Sequence, residues 1–181
     1  MKTTTGIPYL PDNDLAGPAD VVNPIRARRT GGKLLNLDRV LLHSPPFARG
    51  WNSMFGAIRT QLSLSPKLRE LAIVAVGVLN KAGYEYAHHA PDFLKAGGTR
   101  EQLGALADMP SALTNTRLFD ETERATLALT CEMTRNVTVT DATMKRVRAI
   151  FPDRQVVELA GTIAGYNMVS RFLVATGIEL E

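Results

Sequence analysis

From Ser44 onward the apolar residues recur every three or four positions, which is the period of a helix with one buried face. Ser44 followed by Pro45-Pro46 reads as an N-cap with prolines in the first turn, where no N–H is missed. Phe47, Trp51, Met54, Phe55, Ile58 and Leu62 then mark the face of a first helix. Ser65-Pro66 repeats the start signal. Leu68, Leu71, Ala72, Ala75, Val78 and Leu79 form a broad stripe, and Ile73, Val74 and Val76 cover much of the rest. A helix apolar nearly all round belongs at the centre of a fold. A break at Lys81–Gly83 precedes a helix over about 84–96, which Gly97-Gly98 stops. Thr99 and Gln102 make a capping box for a short helix to about Asp108. Further helices are expected over 122–136, from the Thr140-Asp141 cap through Met144, Val147 and Ile150, and over about 154–176. Phe151-Pro152-Asp153 separates the last two. No strand-like alternation and no repeat is present, so the expected class is all-α.

Residues 1–42 lack that period. Gly6, Pro8, Pro11, Gly17, Pro18, Pro24 and Gly31-Gly32 punctuate them, which predicts an extended N-terminal arm. The expected organisation is therefore an arm over 1–42 and a single all-helical domain over 43–181. Arg26, Arg28, Arg29 and Lys33 make the arm basic, either as a solvated or subunit-contacting stretch or as a clamp for an anion. Over the whole chain 21 cations face 18 anions, a net charge of +3, which gives no field suited to nucleic acid. The one cysteine, Cys131, allows no intrachain disulfide and no Cys-x-x-Cys pair, and it falls on an apolar helical face. No apolar run approaches membrane-spanning length, and the first twenty residues hold no signal-peptide core, so a soluble cytoplasmic protein is expected.

The chemistry is concentrated between Pro66 and Gly98. Glu70 interrupts the apolar helix, and Glu85 and His89 share one face of the next helix at i and i+4. The short connection makes those helices antiparallel neighbours. Two carboxylates and an imidazole in a dry hairpin suit proton transfer near neutral pH. The plainer reading is a surface Glu85–His89 pair, with Glu70 bonded to Arg69 in a first helical turn. Tyr84, Tyr86 and His88 crowd the same helix. A zinc site on Glu70, Glu85 and His89 would lack the usual His-Glu-x-x-His spacing, so no metal is expected, and no flavin or nicotinamide fingerprint appears.

The segment Pro66–Gly98 resembles the core of the carboxymuconolactone decarboxylase family and the wider alkylhydroperoxidase D-like superfamily. In the peroxidase branch a Glu precedes Cys-x-x-Cys-x-x-x-His and an Ala-Gly turn. In the same register this chain has Glu70, then Ala82 and Glu85 at the cysteine positions, then His89 and Ala96-Gly97. Ala164-Gly-Tyr166-Asn167-Met168-Val-Ser-Arg171-Phe172 resembles the last helix of the longer decarboxylase-like members. The resemblance implies an alkylhydroperoxidase D-like helical bundle, assembled as a homo-trimer or hexamer. The two missing thiols exclude a disulfide peroxidase cycle. What remains implied is a cofactor-independent decarboxylase, or a related proton-transfer enzyme such as an isomerase, acting on a carboxylated unsaturated lactone or similar small organic acid. His89 would be the general acid, Glu85 the relay or tautomer holder, and Glu70 the orienting carboxylate. Tyr86, Tyr166, Asn167 and Arg171 would bind the substrate, with Arg117 a second candidate for its carboxylate. The alternative is an oligomeric binding protein that keeps the fold without the chemistry.

Overall fold

A computed structural model describes residues 6–13 and 16–181. The described residues are helical, with turns and loops and no strand. They form two compact units, one made of the chain up to Gln61 together with Phe172–Glu181, the other of Leu62–Arg171.

The first unit holds α1 (Ala19–Ala27), a 3-10 turn (Thr30–Gly32), α2 (Asn36–Leu41) and α3 (Pro45–Thr60). The expected extended arm is thus helical over two stretches. Val21, Val22 and Ile25 of α1 and Leu37, Val40 and Leu41 of α2 are buried, so these short helices are held by apolar contact rather than by propensity. Pro24 is exposed inside α1. Arg29 grips Asp38 with two bonds, of 2.8 and 2.6 Å. Arg26 reaches Asp12 and the Gly32 carbonyl, and Arg28 donates to Asn52. All three arginines are committed to their own chain, which leaves the anion-clamp expectation without support. Trp51 anchors the unit, with Phe47, Phe55 and Phe172 rings 4.7–5.8 Å away or tilted against it.

The second unit contains α4 (Pro66–Leu79), α5 (Gly83–Lys95), α6 (Arg100–Ala105), α7 (Met109–Thr114), α8 (Glu121–Arg135), α9 (Asp141–Ile150) and most of α10 (Asp153–Thr176). Ser65 caps α4 by accepting from the Leu68 N–H, as the sequence predicts. Residues 70–77 of α4 are all buried, so α4 is the central helix, packed chiefly on α5 and α8. Leu71, Val74 and Ala75 meet Phe93 of α5, Leu106, Met109, Phe119 and Leu127 in one core cluster, and Cys131 packs against it. The Thr99–Gln102 capping box forms. The sequence reading ends the chain's sixth helix at about Asp108 and passes over α7, which Asp108 opens by accepting from the Ser111 N–H. No described helix is long and apolar enough to cross a membrane.

Candidate functional site

Two turns set the geometry of the α4–α5 hairpin. At the end of α4 the Ala82 N–H bonds to the Gly77 carbonyl and the Lys81 N–H to Val78, with Lys81 at φ 55°. This is the Schellman closure, here carried by a lysine in the left-handed region where glycine is usual. At the end of α5 the Gly98 N–H reaches the Phe93 carbonyl and the Gly97 N–H reaches Leu94, with Gly97 at φ 97°. Between these turns the helices approach closely at Gly77. A Cβ there would stand 3.3 Å from Glu85 Cβ and 3.4 Å from the Tyr86 nitrogen. The missing side chain lets Glu85 sit directly against α4.

The hairpin brings the three predicted residues together. His89 Nδ1 lies 2.7 Å from Glu70 Oε2, and His89 Nε2 lies 3.5 Å from Glu85 Oε2. Glu70, Glu85 and His89 are 4%, 2% and 4% exposed, so this is a buried network and not a surface pair. Arg69 Nε donates to Glu70 Oε1 at 3.1 Å, which leaves Oε2 aimed at the imidazole. The Tyr166 ring stands edge-on to His89, 5.0 Å between centroids and nearly perpendicular. One imidazole therefore has a carboxylate at each ring nitrogen. With Nδ1 held at Glu70, the Nε2 side of the ring faces the Glu85 carboxylate.

The other predicted residues divide. Tyr166 joins the network. Asn167 sits apart, as a knot between three helices: its amide donates to Thr134 Oγ1 and the Ile163 carbonyl, and its oxygen accepts from Asn80 and Arg171. Arg171 donates to both the Asn167 side chain and its carbonyl. Tyr86 is exposed on α5, His88 stacks on Tyr84 at 4.4 Å, and Arg117 is exposed. Asp92 was not singled out by the sequence. It lies three residues after His89 on the same helix, and its carboxylate, with donor atoms of Glu70 and His89, falls in a set whose members are all within 4.8 Å. The i,i+3 spacing was the available signal, hidden because an exposed Asp beside Lys95 reads as solvated.

Residues 45–125 match the model of the Carboxymuconolactone decarboxylase family. The carboxymuconolactone decarboxylase match takes in α4, α5 and the whole Glu70–Glu85–His89 network. No curated protein matches the sequence. Solved structures give the fold. An uncharacterized peroxidase-related protein from Silicibacter sp. TM1040 superposes at TM-score 0.79 with 20% identity, over 99% of this chain and 93% of that one. An alkylhydroperoxidase AhpD core protein from Ralstonia eutropha JMP134 superposes at 0.78 with 19% identity, over 96% and 92%. The debrominase Bmp8, in complex with 2,3,4-tribromopyrrole, superposes at 0.77 with 18% identity, over 100% and 93%. The alkylhydroperoxidase D-like helical fold expected from the sequence is the fold of this chain.

Proposed function

We propose that the protein is a cofactor-independent proton-transfer enzyme, a decarboxylase acting on a carboxylated unsaturated lactone or a similar small organic acid. The observation that carries this reading is the buried Glu70–His89–Glu85 line, an imidazole bracketed by two carboxylates. The family match over the same residues supports the choice of a lactone acid as substrate class.

In the proposed reaction the bond from carbon to the carboxylate breaks and CO2 leaves. Its electron pair moves into the conjugated carbonyl, giving an enolate. The enolate carbon then takes a proton, so the substrate loses CO2 and gains H+. His89 supplies that proton, with Glu85 passing it on the Nε2 side. Glu70, fixed by Arg69, holds Nδ1 and the ring plane. Buried surroundings strengthen each charge contact and keep stray water from the enolate. The protein is further proposed to act as a homo-oligomer; Val157, Met168 and Val174 of α10 are exposed apolar side chains in the single chain.

The test is proton NMR in D2O with a panel of carboxylated unsaturated lactones and vinylogous acids, comparing wild type with His89→Gln. Loss of CO2 with deuterium placed at one carbon, by wild type only, is the expected result. Deuterium exchange without CO2 loss would replace the decarboxylase by an isomerase. Saturable binding with neither turnover nor exchange would overturn the catalytic reading in favour of a binding protein.

A further inference from the structure

We infer that the same hairpin holds a divalent transition-metal site of the zinc class, built from Glu70, His89 and Asp92. The three donors come from two helices and lie within 4.8 Å of one another. Glu70 and His89 are buried and fixed, and Asp92 is exposed, so a cation can arrive from solvent and meet two ligands already in place. One imidazole and two carboxylates suit zinc, cobalt or manganese better than calcium or magnesium, which prefer all-oxygen shells.

A second feature points the same way. A metal-bound histidine usually directs its other ring nitrogen at a carboxylate, which fixes the tautomer and raises the ligand's basicity. If His89 binds through Nδ1, its Nε2–H faces Glu85 Oε2 at 3.5 Å. Glu85 then plays that supporting part without moving to another rotamer. Arg69 occupies only Glu70 Oε1, so Oε2 remains the donor toward the metal. Lys95, which pairs with Asp92 at 2.9 Å, has a side chain 77% exposed. Its displacement costs little, because exposed ion pairs contribute about 0–1 kcal/mol.

The adjustment needed is small. Ligands about 2.0–2.1 Å from a tetrahedral metal stand about 3.3 Å apart. Glu70 Oε2 and His89 Nδ1 must therefore separate from 2.7 Å, and Asp92 must swing inward by about an ångström or two. An exposed aspartate on a helix has the rotamer freedom for this. Zinc at this place would take over the hydrogen bond between Glu70 and His89, so the metal-loaded and proton-relay states exclude each other.

The experiment uses the full chain, stripped with a chelator and desalted, and titrated with Zn2+ by calorimetry and with Co2+ by its visible d–d bands. The expected result is saturable binding of both ions by wild type, with Co2+ bands of a low-coordinate N/O site and no comparable binding of Mg2+. Glu85→Gln should weaken Zn2+ binding by about 10–100-fold, as loss of a carboxylate behind a histidine ligand does. Asp92→Asn should weaken it at least as much, and its exposed position keeps the fold intact, which circular dichroism checks. Equal binding by wild type and Asp92→Asn would overturn the site, as would binding of neither ion by wild type. Binding is read without turnover, so this site can fail while the proton-transfer reading stands, and the reverse.

Discussion

Two buried glutamates of the same unit, Glu70 and Glu123, are almost equally hidden, at 4% and 3% exposure, and both are served by the first turns of α4. Lys67 Nζ lies 2.7 Å from Glu123, and Arg69 Nε lies 3.1 Å from Glu70. The rest of their surroundings differs. Glu123 accepts from the Gln102 amide at 3.2 Å and from the Asp120 N–H at 3.0 Å. An ammonium, an amide and a backbone N–H keep their protons at neutral pH, so Glu123 can only be a fixed acceptor. Glu70 instead faces an imidazole, a ring that can both donate and accept a proton, and that imidazole meets a second carboxylate. Burial of a carboxylate does not by itself mark a site. What marks this one is a partner that can give its proton away.

The largest effect expected from breaking this contrast is on turnover. His89→Gln keeps a hydrogen-bonding group of similar reach but cannot carry a proton between the carboxylates. Loss of a positioned acid or base costs roughly 10²–10⁴ in rate. Single-turnover measurement on the substrate found by NMR should show that loss, while urea unfolding of the variant stays close to wild type. A rate loss below tenfold would remove His89 from the chemistry.

Glu123 should behave the opposite way. Glu123→Ala leaves the half-buried Lys67 without this carboxylate and the Gln102 amide with only the Leu118 carbonyl, and it also opens the capping box at the start of α8. Hydrogen bonds to charged groups contribute about 1.5–3 kcal/mol, so a loss of about 2–3 kcal/mol in urea unfolding is expected. Turnover per folded molecule should be unchanged. A parallel fall in both quantities would show that the two clusters are coupled.

Gly77 sharpens the comparison by separating position from chemistry. Alanine in a helix interior is favoured over glycine by about 0.5–1 kcal/mol, which opposes the strain of a Cβ 3.3 Å from Glu85 Cβ. Gly77→Ala should therefore change stability little. It pushes Glu85 and the α5 backbone by a few tenths of an ångström, and misplacement on the scale of 1 Å can cost about 10² in rate. Roughly tenfold slower turnover with an unchanged urea midpoint is expected. Unchanged turnover would show that Glu85 need not hold this place.

The parts of this picture legible in the sequence were those governed by period and spacing. The central α4 showed as a run apolar on all sides, and Glu85 with His89 showed as an i,i+4 pair. Glu70 stood out as an acid inside that run. What stayed hidden depended on tertiary contact. The α1 and α2 helices are short, rich in glycine and proline nearby, and stabilised by buried Val21, Ile25, Leu37 and Val40, so local signals alone pointed to an extended arm. Asp120, the N-cap of α8, accepts from the Glu123 N–H, yet periodicity placed the helix start at Thr122, one residue after α8 begins. The roles of Asn167 and Asp92 depend on what other helices bring to them, which spacing along one helix cannot report.

The smallest predicted effect concerns a partly buried carboxylate, Glu158 of α10, whose side chain is 10% exposed. Burial alone would raise its pKa. The hydroxyl and N–H of Ser63, Arg154 Nε and the Leu64 N–H outweigh that and hold it at about 2, below its ordinary 4.5. A carboxylate held below its unfolded value contributes stability that is complete above about pH 4.5 and is lost as the pH falls toward 2. Urea unfolding across that window should show wild type losing more stability than Glu158→Gln, which has no proton to take up. Like Glu123, Glu158 is served only by donors that keep their protons, and none of them belongs to the His89 network. Its acid titration should therefore alter stability and leave the chemistry at His89 untouched, as long as the chain stays folded. Identical acid profiles for the two proteins would mean that the Ser63 and Leu64 contacts persist around a protonated Glu158, and that these donors do not distinguish its charged form.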